Sequence, residues 1–234
     1  MNGKELLVLR DLSVWYTQRR PVLERLSLDL GPNEAVGLLG LNGAGKTTLI
    51  KALAGLLPNC RLGSAAWAGR PFSFRDEDFK RSRYIVFAED RSFQHFTFRE
   101  YLAYAAASYG VPLPDVSMLV EGFHFERCTD VLLRELSTGN LKKVYLITAF
   151  ALRPRLLLLD EPVNGLDFQS TEFLYQLMRG YKAHGTLLFS SHILESIGLT
   201  ADRVLILERG RIGRTFSGGE IANIREVLAD DENP

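Results

Sequence analysis

The sequence predicts an α/β fold with a parallel sheet flanked by helices, an antiparallel β part and a small helical part. Uninterrupted apolar runs, such as Ala35–Leu39 and Leu156–Leu159, indicate buried parallel strands. Helical patterns follow them, from Lys46 to about Leu57 and from about Ser170 to Ala183. By contrast, Leu26–Leu30 alternates apolar and polar residues, which is typical of a half-buried antiparallel strand.

Length and composition limit the classes of function. The 234 residues are enough for one large domain, and the net charge of +0 argues against a general nucleic-acid or anionic-membrane binder. The two cysteines, Cys60 and Cys128, lack metal-ligand spacing and are expected to be free thiols. No apolar run approaches the ~18–20 residues that span a bilayer, and the N-terminus lacks a signal-peptide profile.

The strongest motif is Gly40–Thr48, which matches G-x-x-x-x-G-K-[ST], the P-loop. A buried strand precedes it and a helix follows, which is the context that this motif requires. Its glycines let backbone N–H groups surround an anion, and the helix adds its positive N-terminal end. Lys46 is predicted to reach the β- and γ-phosphates of a nucleotide, and Thr47 to bind Mg²⁺. The parallel sheet is therefore predicted to be a P-loop NTPase core.

Two acids follow the strand Leu156–Leu159 directly. Adjacent carboxylates at the end of an apolar strand are costly unless a cation compensates them. A nucleotide-bound Mg²⁺ would do so, with Asp160 binding the metal or its waters and Glu161 facing an attacking water. His192 follows the strand Thr186–Ser190 and should reach the same sheet edge. We expect it to contact the γ-phosphate rather than to serve as a structural histidine.

The first half of the chain supplies further candidates. Residues 5–16 look extended and should pair with the strand Leu26–Leu30. Tyr16, near the end of that segment, either stacks on a purine or belongs to the core. Glu89 closely follows the predicted strand Tyr84–Phe87. Ten of the chain's 24 aromatic residues lie between positions 72 and 104, and this density favours a docking surface over ordinary core.

Helix signals mark the remaining elements. Thr97 and Glu100 have the spacing of a capping box, which opens a helix ending near Tyr109. Ser137 stands at an N-cap position before a helical pattern from Leu141 to Leu152. The last core strand is predicted at 203–208, followed by a hairpin turn at 209–210, a closing helix at 220–229 and a frayed tail at 230–234.

With these residues in place, the chain resembles the ATPase subunit of ATP-binding cassette (ABC) transporters over nearly its whole length. Gly40–Thr48 is similar to the Walker A motif, and Leu156–Glu161 to Walker B with its catalytic glutamate. Leu136–Asn140 resembles the family's signature, usually LSGGQ. Asn164–Asp167 is similar to the D-loop, and His192 to the switch histidine.

The resemblance implies ATP and Mg²⁺ as cofactors. It implies catalytic roles for Glu161 and His192, and it favours stacking of Tyr16 on adenine. The expected metal contacts come from Thr47, Asp160 and Glu89. The residues expected to contact nucleotide are Tyr16, Asn42, Gly43, Ala44, Gly45, Lys46, Thr47, Thr48, Glu89, Ser137, Gly139 and Asp167.

Three departures from the family pattern stand out. Thr138 replaces the first glycine of the signature pair and Asn140 replaces the glutamine, whereas Ser137 and Gly139 are retained. Glu89 stands where a glutamine is expected after its strand. The segment Leu141–Lys143 lacks the arginine that usually follows the signature.

The resemblance also implies an architecture and partners. Residues 1–234 form a single ABC ATPase domain, with a β subdomain at about 1–34 and 61–70, a helical subdomain at about 90–140 and a P-loop core elsewhere. Two such subunits, as a homodimer or a heterodimer, hold ATP head to tail and drive a transmembrane permease subunit. The expected location is cytoplasmic, on the inner face of the cell membrane. The short chain resembles an exporter subunit more than a sugar importer.

The sequence disfavours two rival functions. A soluble, non-transport ABC-type ATPase acting on ribosomes or DNA is disfavoured by the single cassette, the lack of a basic arm and the zero net charge, so no nucleic acid is expected. A nucleotide switch without turnover is disfavoured because Lys46, Asp160, Glu161 and His192 are all present.

Overall fold

The structure is a computed structural model that describes residues 5–17 and 20–224. Two sheets and seven α-helices make up the described part of the chain. The strands are β1 (Leu7–Val14), β2 (Leu23–Leu30), β3 (Ala35–Leu39), β4 (Cys60–Arg61), β5 (Ser64–Trp67), β6 (Arg70–Pro71), β7 (Arg83–Val86), β8 (Leu156–Leu159), β9 (Thr186–Ser191), β10 (Arg203–Glu208) and β11 (Arg211–Ser217). The helices are α1 (Lys46–Leu53), α2 (Glu77–Ser82), α3 (Phe98–Tyr109), α4 (Ser117–Gly122), α5 (Thr138–Leu152), α6 (Phe168–Tyr181) and α7 (Leu194–Thr200).

The larger sheet has six strands in the order β11-β10-β3-β9-β8-β7. Its five strands from β10 to β7 are parallel, and β11 joins antiparallel to β10 through the turn at Arg209–Gly210. The leucines of β8 explain why this sheet is buried on both faces. Leu157 and Leu159 pack into one apolar cluster, and Leu156 and Leu158 into the other. The predicted α/β fold with a helix-flanked parallel sheet is confirmed.

The smaller sheet is antiparallel, in the order β2-β1-β5-β6, with β4 also paired to β1. Leu7 pairs with Leu30, and Leu9 with Leu28, so the predicted pairing of the first two extended segments is confirmed. Its apolar face and α1 pack on one side of the large sheet. Helices α3, α5 and α6 pack on the opposite side.

Element boundaries differ from the prediction at several points. Helix α1 ends at Leu53 rather than near Leu57, because Gly55 adopts a left-handed φ of 72°. Strand β7 starts and ends one residue earlier than predicted. Helix α5 begins at Thr138, three residues before the predicted start, since Ser137 caps it directly.

The closing helix predicted at 220–229 lies only partly within the described residues, where 220–223 form a 3-10 helix and Ile224 is α-helical. A 3-10 helix spans Gly218–Asn223, with a capping box between Ser217 and Glu220. The positions from 225 onward, including the predicted tail, lie outside the described residues. The Thr97–Glu100 capping box, by contrast, is confirmed, and Gly110 ends α3 in the left-handed conformation.

The aromatic residues between positions 72 and 104 belong mainly to the core. Phe79, Tyr84, Phe98 and Tyr101 are buried, and only two of the ten, Phe93 and Tyr104, are exposed. The interpretation of the whole group as a docking surface was therefore wrong, because the strand and helix patterns turn most of these rings inward.

No helix within residues 5–17 and 20–224 is long and apolar enough to cross a membrane.

Candidate functional site

The candidate site lies at the carboxyl edge of the parallel sheet. Strands β3, β9, β8 and β7 are neighbours with the same direction, so the segments that follow them meet at one edge. These segments are the loop beginning at Gly40, the pair Asp160–Glu161, His192 and the loop beginning at Phe87. The sequence placed its candidates here, and the structure brings several of them into direct contact.

The loop from Gly40 to Gly45 leads into the N-terminus of α1. Gly45 adopts a φ of 111° and caps the helix without any side chain, so the first N–H groups of α1 remain available to an anion. A side chain would be strained at this φ, and its Cβ atom would lie 2.7 Å from Leu23 Cδ2, so the position favours glycine. Asn42 and Gly43 are exposed, Ala44 is partly exposed, and Thr48 is buried.

Lys46 is buried at the centre of this loop. Its ammonium donates to the carbonyl of Gly40 at 2.6 Å and to that of Leu41 at 3.4 Å. It also stands 3.7 Å from Oε1 of Glu161. The charge is thus held inside the loop by groups that a phosphate could replace.

Thr47 and Asp160 are hydrogen-bonded to each other, with Thr47 Oγ1 donating to Asp160 Oδ2 at 2.8 Å. The other carboxylate oxygen of Asp160 accepts from Ser190 Oγ at 2.7 Å. Ser190 Oγ in turn accepts from the backbone N–H of Glu161 at 2.9 Å. Ser190 was not among the residues predicted for the site, because its only sequence signal is a hydroxyl near the end of a buried parallel strand.

Glu161 is held from two sides. Its Oε2 lies 2.9 Å from Nδ1 of His192, and its Oε1 faces the Lys46 ammonium. The backbone of Glu161 has a left-handed φ of 45°, which is unfavourable for a residue with a side chain and persists only where its surroundings fix it. The hydrogen bond to Ser190 is one such fixing contact. The predicted proximity of His192 to the Walker B acids is observed.

The donor set at Thr47 and Asp160 fits Mg²⁺. Hydroxyl and carboxylate oxygens are ligands of the type that this ion prefers, and Mg²⁺ on a nucleotide is bound through few protein ligands together with phosphates. The described residues contain no group of three His, Cys, Asp or Glu side chains that could hold a metal ion by themselves.

Tyr16 lies beside the start of α1. Its hydroxyl is 3.4 Å from Oγ1 of Thr48, and 53% of the residue is exposed. A ring in this position is not core, so of the two interpretations that the sequence left open, the core one is excluded. The exposure of Tyr16 beside the start of α1 agrees with the expected stacking on adenine, which stays a prediction.

Glu89 is exposed in the loop between β7 and α3 and forms no hydrogen bond with the described residues. The nearby buried ammonium of Lys142, on α5, donates to the carbonyl of Phe87 at 2.8 Å. Burial lowers the pKa of Lys142 to about 8. The negative charges of Asp160, Asp90, Glu161 and Glu89 act against this lowering.

The signature residues form the first turn of α5. Ser137 is exposed and its Oγ accepts from the backbone N–H of Asn140 at 3.2 Å, as predicted for an N-cap. Gly139 packs against the turn that precedes α6, because a Cβ atom there would lie 2.4 Å from the Gly165 carbonyl oxygen. Packing within this chain therefore requires glycine at position 139.

Asp167 is engaged inside the chain. It caps α6 by accepting from the Ser170 N–H at 2.8 Å, and it pairs with Lys143 at 2.7 Å. The hydrogen bond from Lys143 is the largest of the effects that hold the pKa of Asp167 far below its usual range. Lys143 also donates to the Phe123 carbonyl. The predicted contact of Asp167 with nucleotide stays a prediction. Lys143 supplies a cation in the segment that lacks the family's arginine.

Comparisons with known proteins agree with this geometry. A family model described as "ABC transporter" matches residues 23–164. The chain is 38% identical over 228 residues to the "Putative ABC transporter ATP-binding protein AlbC" of Bacillus subtilis (strain 168), covering 94% of this chain and 95% of that protein. It is 34% identical over 222 residues to the "Taurine import ATP-binding protein TauB" of Mesorhizobium japonicum, covering 91% and 84%.

A solved structure has the same fold. The ATP-binding subunit of an ABC transporter superposes with a TM-score of 0.83 at 30% identity, covering 95% of this chain and 94% of that one. The P-loop, the paired acids and the histidine at one sheet edge agree with these matches. This chain therefore belongs to the ABC transporter family, as one of its ATP-binding, ATP-hydrolysing subunits.

Proposed function

We propose that this chain powers the movement of a substrate across a membrane through ATP-driven closure of two cassettes, with Glu161 as the general base. The observation that carries this proposal is the placement of the Glu161 carboxylate between the Lys46 ammonium and the His192 ring, next to the Thr47–Asp160 pair. A cation for phosphates, a metal-binding pair and a base thus lie side by side.

ATP binding would exchange internal contacts for contacts with phosphate. The Lys46 ammonium, which now donates to loop carbonyls, would turn to the β- and γ-phosphates. Thr47 and Asp160 would hold Mg²⁺, which neutralises phosphate charge when it is bound. Asn42, Gly43, Ala44, Gly45 and Thr48 would supply the surrounding loop and the first turn of the helix, and Tyr16 would stack on the adenine.

Hydrolysis needs a water aligned with the γ-phosphorus and a group that takes its proton. The Glu161 carboxylate would accept that proton while the water oxygen attacks phosphorus and ADP leaves. His192 would hold Glu161 through the contact seen at 2.9 Å and would reach the γ-phosphate. Ser190 fixes the backbone of this base through the Glu161 N–H.

The second half of each site would come from a partner cassette. Ser137 and Gly139 lie at the N-terminus of α5, and Ser137 is exposed there. They would contact the γ-phosphate held by the partner's P-loop, with Asp167 at the same interface. The partner is either a second copy of this chain or a related subunit.

The proposed organisation follows the family. A β subdomain at about 1–34 and 61–70 and a helical subdomain at about 90–140 would flank the P-loop core. A transmembrane permease subunit would dock near the Glu89 loop and keep the chain at the cytoplasmic face of the membrane. Because a relative named for taurine import is 34% identical, sequence similarity does not favour export over import, and the expected resemblance to exporters stays a prediction.

Glu161→Gln tests the proposed base. The amide keeps the shape of the side chain but cannot accept the proton, so we expect nucleotide binding to persist and the ATPase rate to fall by about 10²–10⁴. Trapped ATP should shift the variant to a dimer. The measurements are steady-state turnover, nucleotide binding and gel filtration with MgATP.

Glu172→Gln is the matched control, because Glu172 is an exposed residue on α6 outside the site. It should retain the parent's turnover. A Glu161→Gln protein that hydrolyses ATP as fast as this control would exclude Glu161 as the base.

Glu89→Gln tests the proposed metal contact of the Glu89 loop. A carboxylate there adds negative charge beside Asp160, Glu161 and the phosphates, and it can bind Mg²⁺ or its waters more strongly than an amide. We expect the variant to need a different Mg²⁺ concentration for half-maximal turnover. Nucleotide affinity without Mg²⁺ should be unchanged or slightly improved.

The measurement is a Mg²⁺ titration of the ATPase rate at fixed ATP, with Glu121→Gln, at an exposed glutamate of α4, as the control. Superimposable titration curves for the parent and Glu89→Gln would mean that Glu89 does not take part in metal binding.

A further inference from the structure

Two side chains of helix α5 hold the loop that carries Glu89. Lys142 Nζ donates to the carbonyl of Phe87 at 2.8 Å, and Tyr145 Oη donates to the carbonyl of Ser92 at 2.9 Å. The two residues are three positions apart and therefore lie on the same face of the helix. Glu89 lies between the two tethered carbonyls, so these bonds set the position of the segment around it.

The rest of the loop is separated from α5 by space. A cavity of about 320 Å³ separates residues 88–91 of the loop from the first turns of the helix, and both Glu89 and Lys142 line it. The loop is anchored on both sides of this stretch, because Phe87 packs against the apolar core and Phe93 packs on Tyr101 and Tyr104. Between these anchors, the hydrogen bonds from Lys142 and Tyr145 connect the loop to α5.

Burial of the Lys142 ammonium at this position is energetically unfavourable. Only 4% of it is exposed, and an ammonium without ion pairing is costly to bury. Within the described residues its hydrogen bond goes to a carbonyl and not to a carboxylate. An apolar side chain would fill the same space at lower cost, which indicates that the donor itself is used.

Helix α5 also begins at the signature. Ser137 caps it, and Lys143, the neighbour of Lys142, ties the helix to Asp167 in the turn before α6. The first two turns of α5 therefore connect three segments: the Glu89 loop, the turn at 164–167 and the surface that is proposed to face the partner's nucleotide.

We propose that Lys142 is a positioning residue for ATP hydrolysis: its hydrogen bond to the Phe87 carbonyl fixes the Glu89 loop relative to the signature helix. This inference rests on the function proposed above for Glu89 and Ser137. The hydrogen bond of Lys142 would connect the chain's own nucleotide site with the surface at Ser137 that is proposed to face the partner. Lys142 acts through the loop and does not touch ATP.

Two substitutions separate the hydrogen bond from bulk and charge. Lys142→Met keeps the length of the side chain and loses the donor. Lys142→Gln loses the charge but keeps an N–H group for the Phe87 carbonyl. Thr148→Val is the control for a general disturbance of α5, since Thr148 is fully buried on the same helix and its hydroxyl donates to the Val144 carbonyl of that helix.

We expect Lys142→Met to lower kcat about tenfold with an unchanged KM for ATP, because a small misplacement of a positioned group costs rate rather than binding. Lys142→Gln should stay within about threefold of the parent. Hydrogen–deuterium exchange should show faster exchange at residues 88–92 in Lys142→Met, with the loop at 40–45 unchanged. Thermal unfolding of all variants controls for stability.

Three results would overturn the inference. One is a kcat of Lys142→Met equal to that of Thr148→Val. Another is equal loss in Lys142→Met and Lys142→Gln, which would assign the effect to charge. The third is unchanged exchange at residues 88–92 in Lys142→Met. The exchange readout needs no turnover, so failure of this inference is distinguishable from failure of the proposed base, which Glu161→Gln tests separately.

Discussion

Lys46→Ala is expected to bind ATP about 100-fold or more weakly than the parent, because an ammonium makes several charge-assisted hydrogen bonds to phosphate. Lys46 is the cation that the P-loop holds in its interior, where it donates to the Gly40 and Leu41 carbonyls. Removing it leaves the P-loop with only its backbone N–H groups and the helix N-terminus to bind phosphate. Isothermal titration with ATP measures the change.

Lys51→Ala is the matched control, since Lys51 lies in the last turn of the same helix, away from the loop. It should bind ATP like the parent. A folded Lys46→Ala protein with the affinity of the Lys51→Ala control would contradict the assignment of Gly40–Thr48 as the phosphate cradle.

Ser137→Arg is expected to leave ATP binding to the single chain intact and to remove ATPase activity. Ser137 caps α5 and is exposed, and among the described residues none of its hydrogen bonds reaches the P-loop of its own chain. An arginine at this position would remove the contact that the N-terminus of α5 is proposed to make with the γ-phosphate held by a second cassette. Binding and steady-state turnover are measured on the same preparation.

Ser137→Ala separates the cap from the interface. It removes the hydrogen bond to the Asn140 N–H, which costs about 1 kcal/mol of helix stability, without adding bulk or charge. It should keep much more activity than Ser137→Arg. Turnover by Ser137→Arg at the parent's rate would exclude a role for the signature in hydrolysis.

The fold was predictable because its strongest signals are local. The leucine run of β8, the alternation in β2 and the Thr97–Glu100 capping box each specify an element within a few residues. Boundaries were less predictable where polar residues form a first turn, as at Thr138, or where one glycine stops a helix, as at Gly55. The prediction of a docking surface at residues 72–104 was wrong because composition does not reveal which face of a helix or strand an aromatic ring occupies.

The placement of Asp160, Glu161 and His192 at one edge was predictable, because residues that follow parallel strands lie at the carboxyl edge of the sheet. The contacts that refine the site were not, because they join residues far apart in sequence. Ser190 bridges Asp160 and Glu161 across neighbouring strands, and Lys143 reaches Asp167 across 24 residues. No local pattern marks a serine or a lysine for such a contact.

The central claim is that each active site combines Lys46 of one cassette with Ser137 of another. Mixing Lys46→Ala with Ser137→Arg tests it most directly, under conditions in which the parent protein turns over by itself. Each variant should be inactive alone, but a mixed dimer contains one site with both native residues. We expect mixing to restore about a quarter of the parent's rate, since half of the dimers are mixed and each has one intact site of two. A mixture as inactive as its components would contradict the shared site.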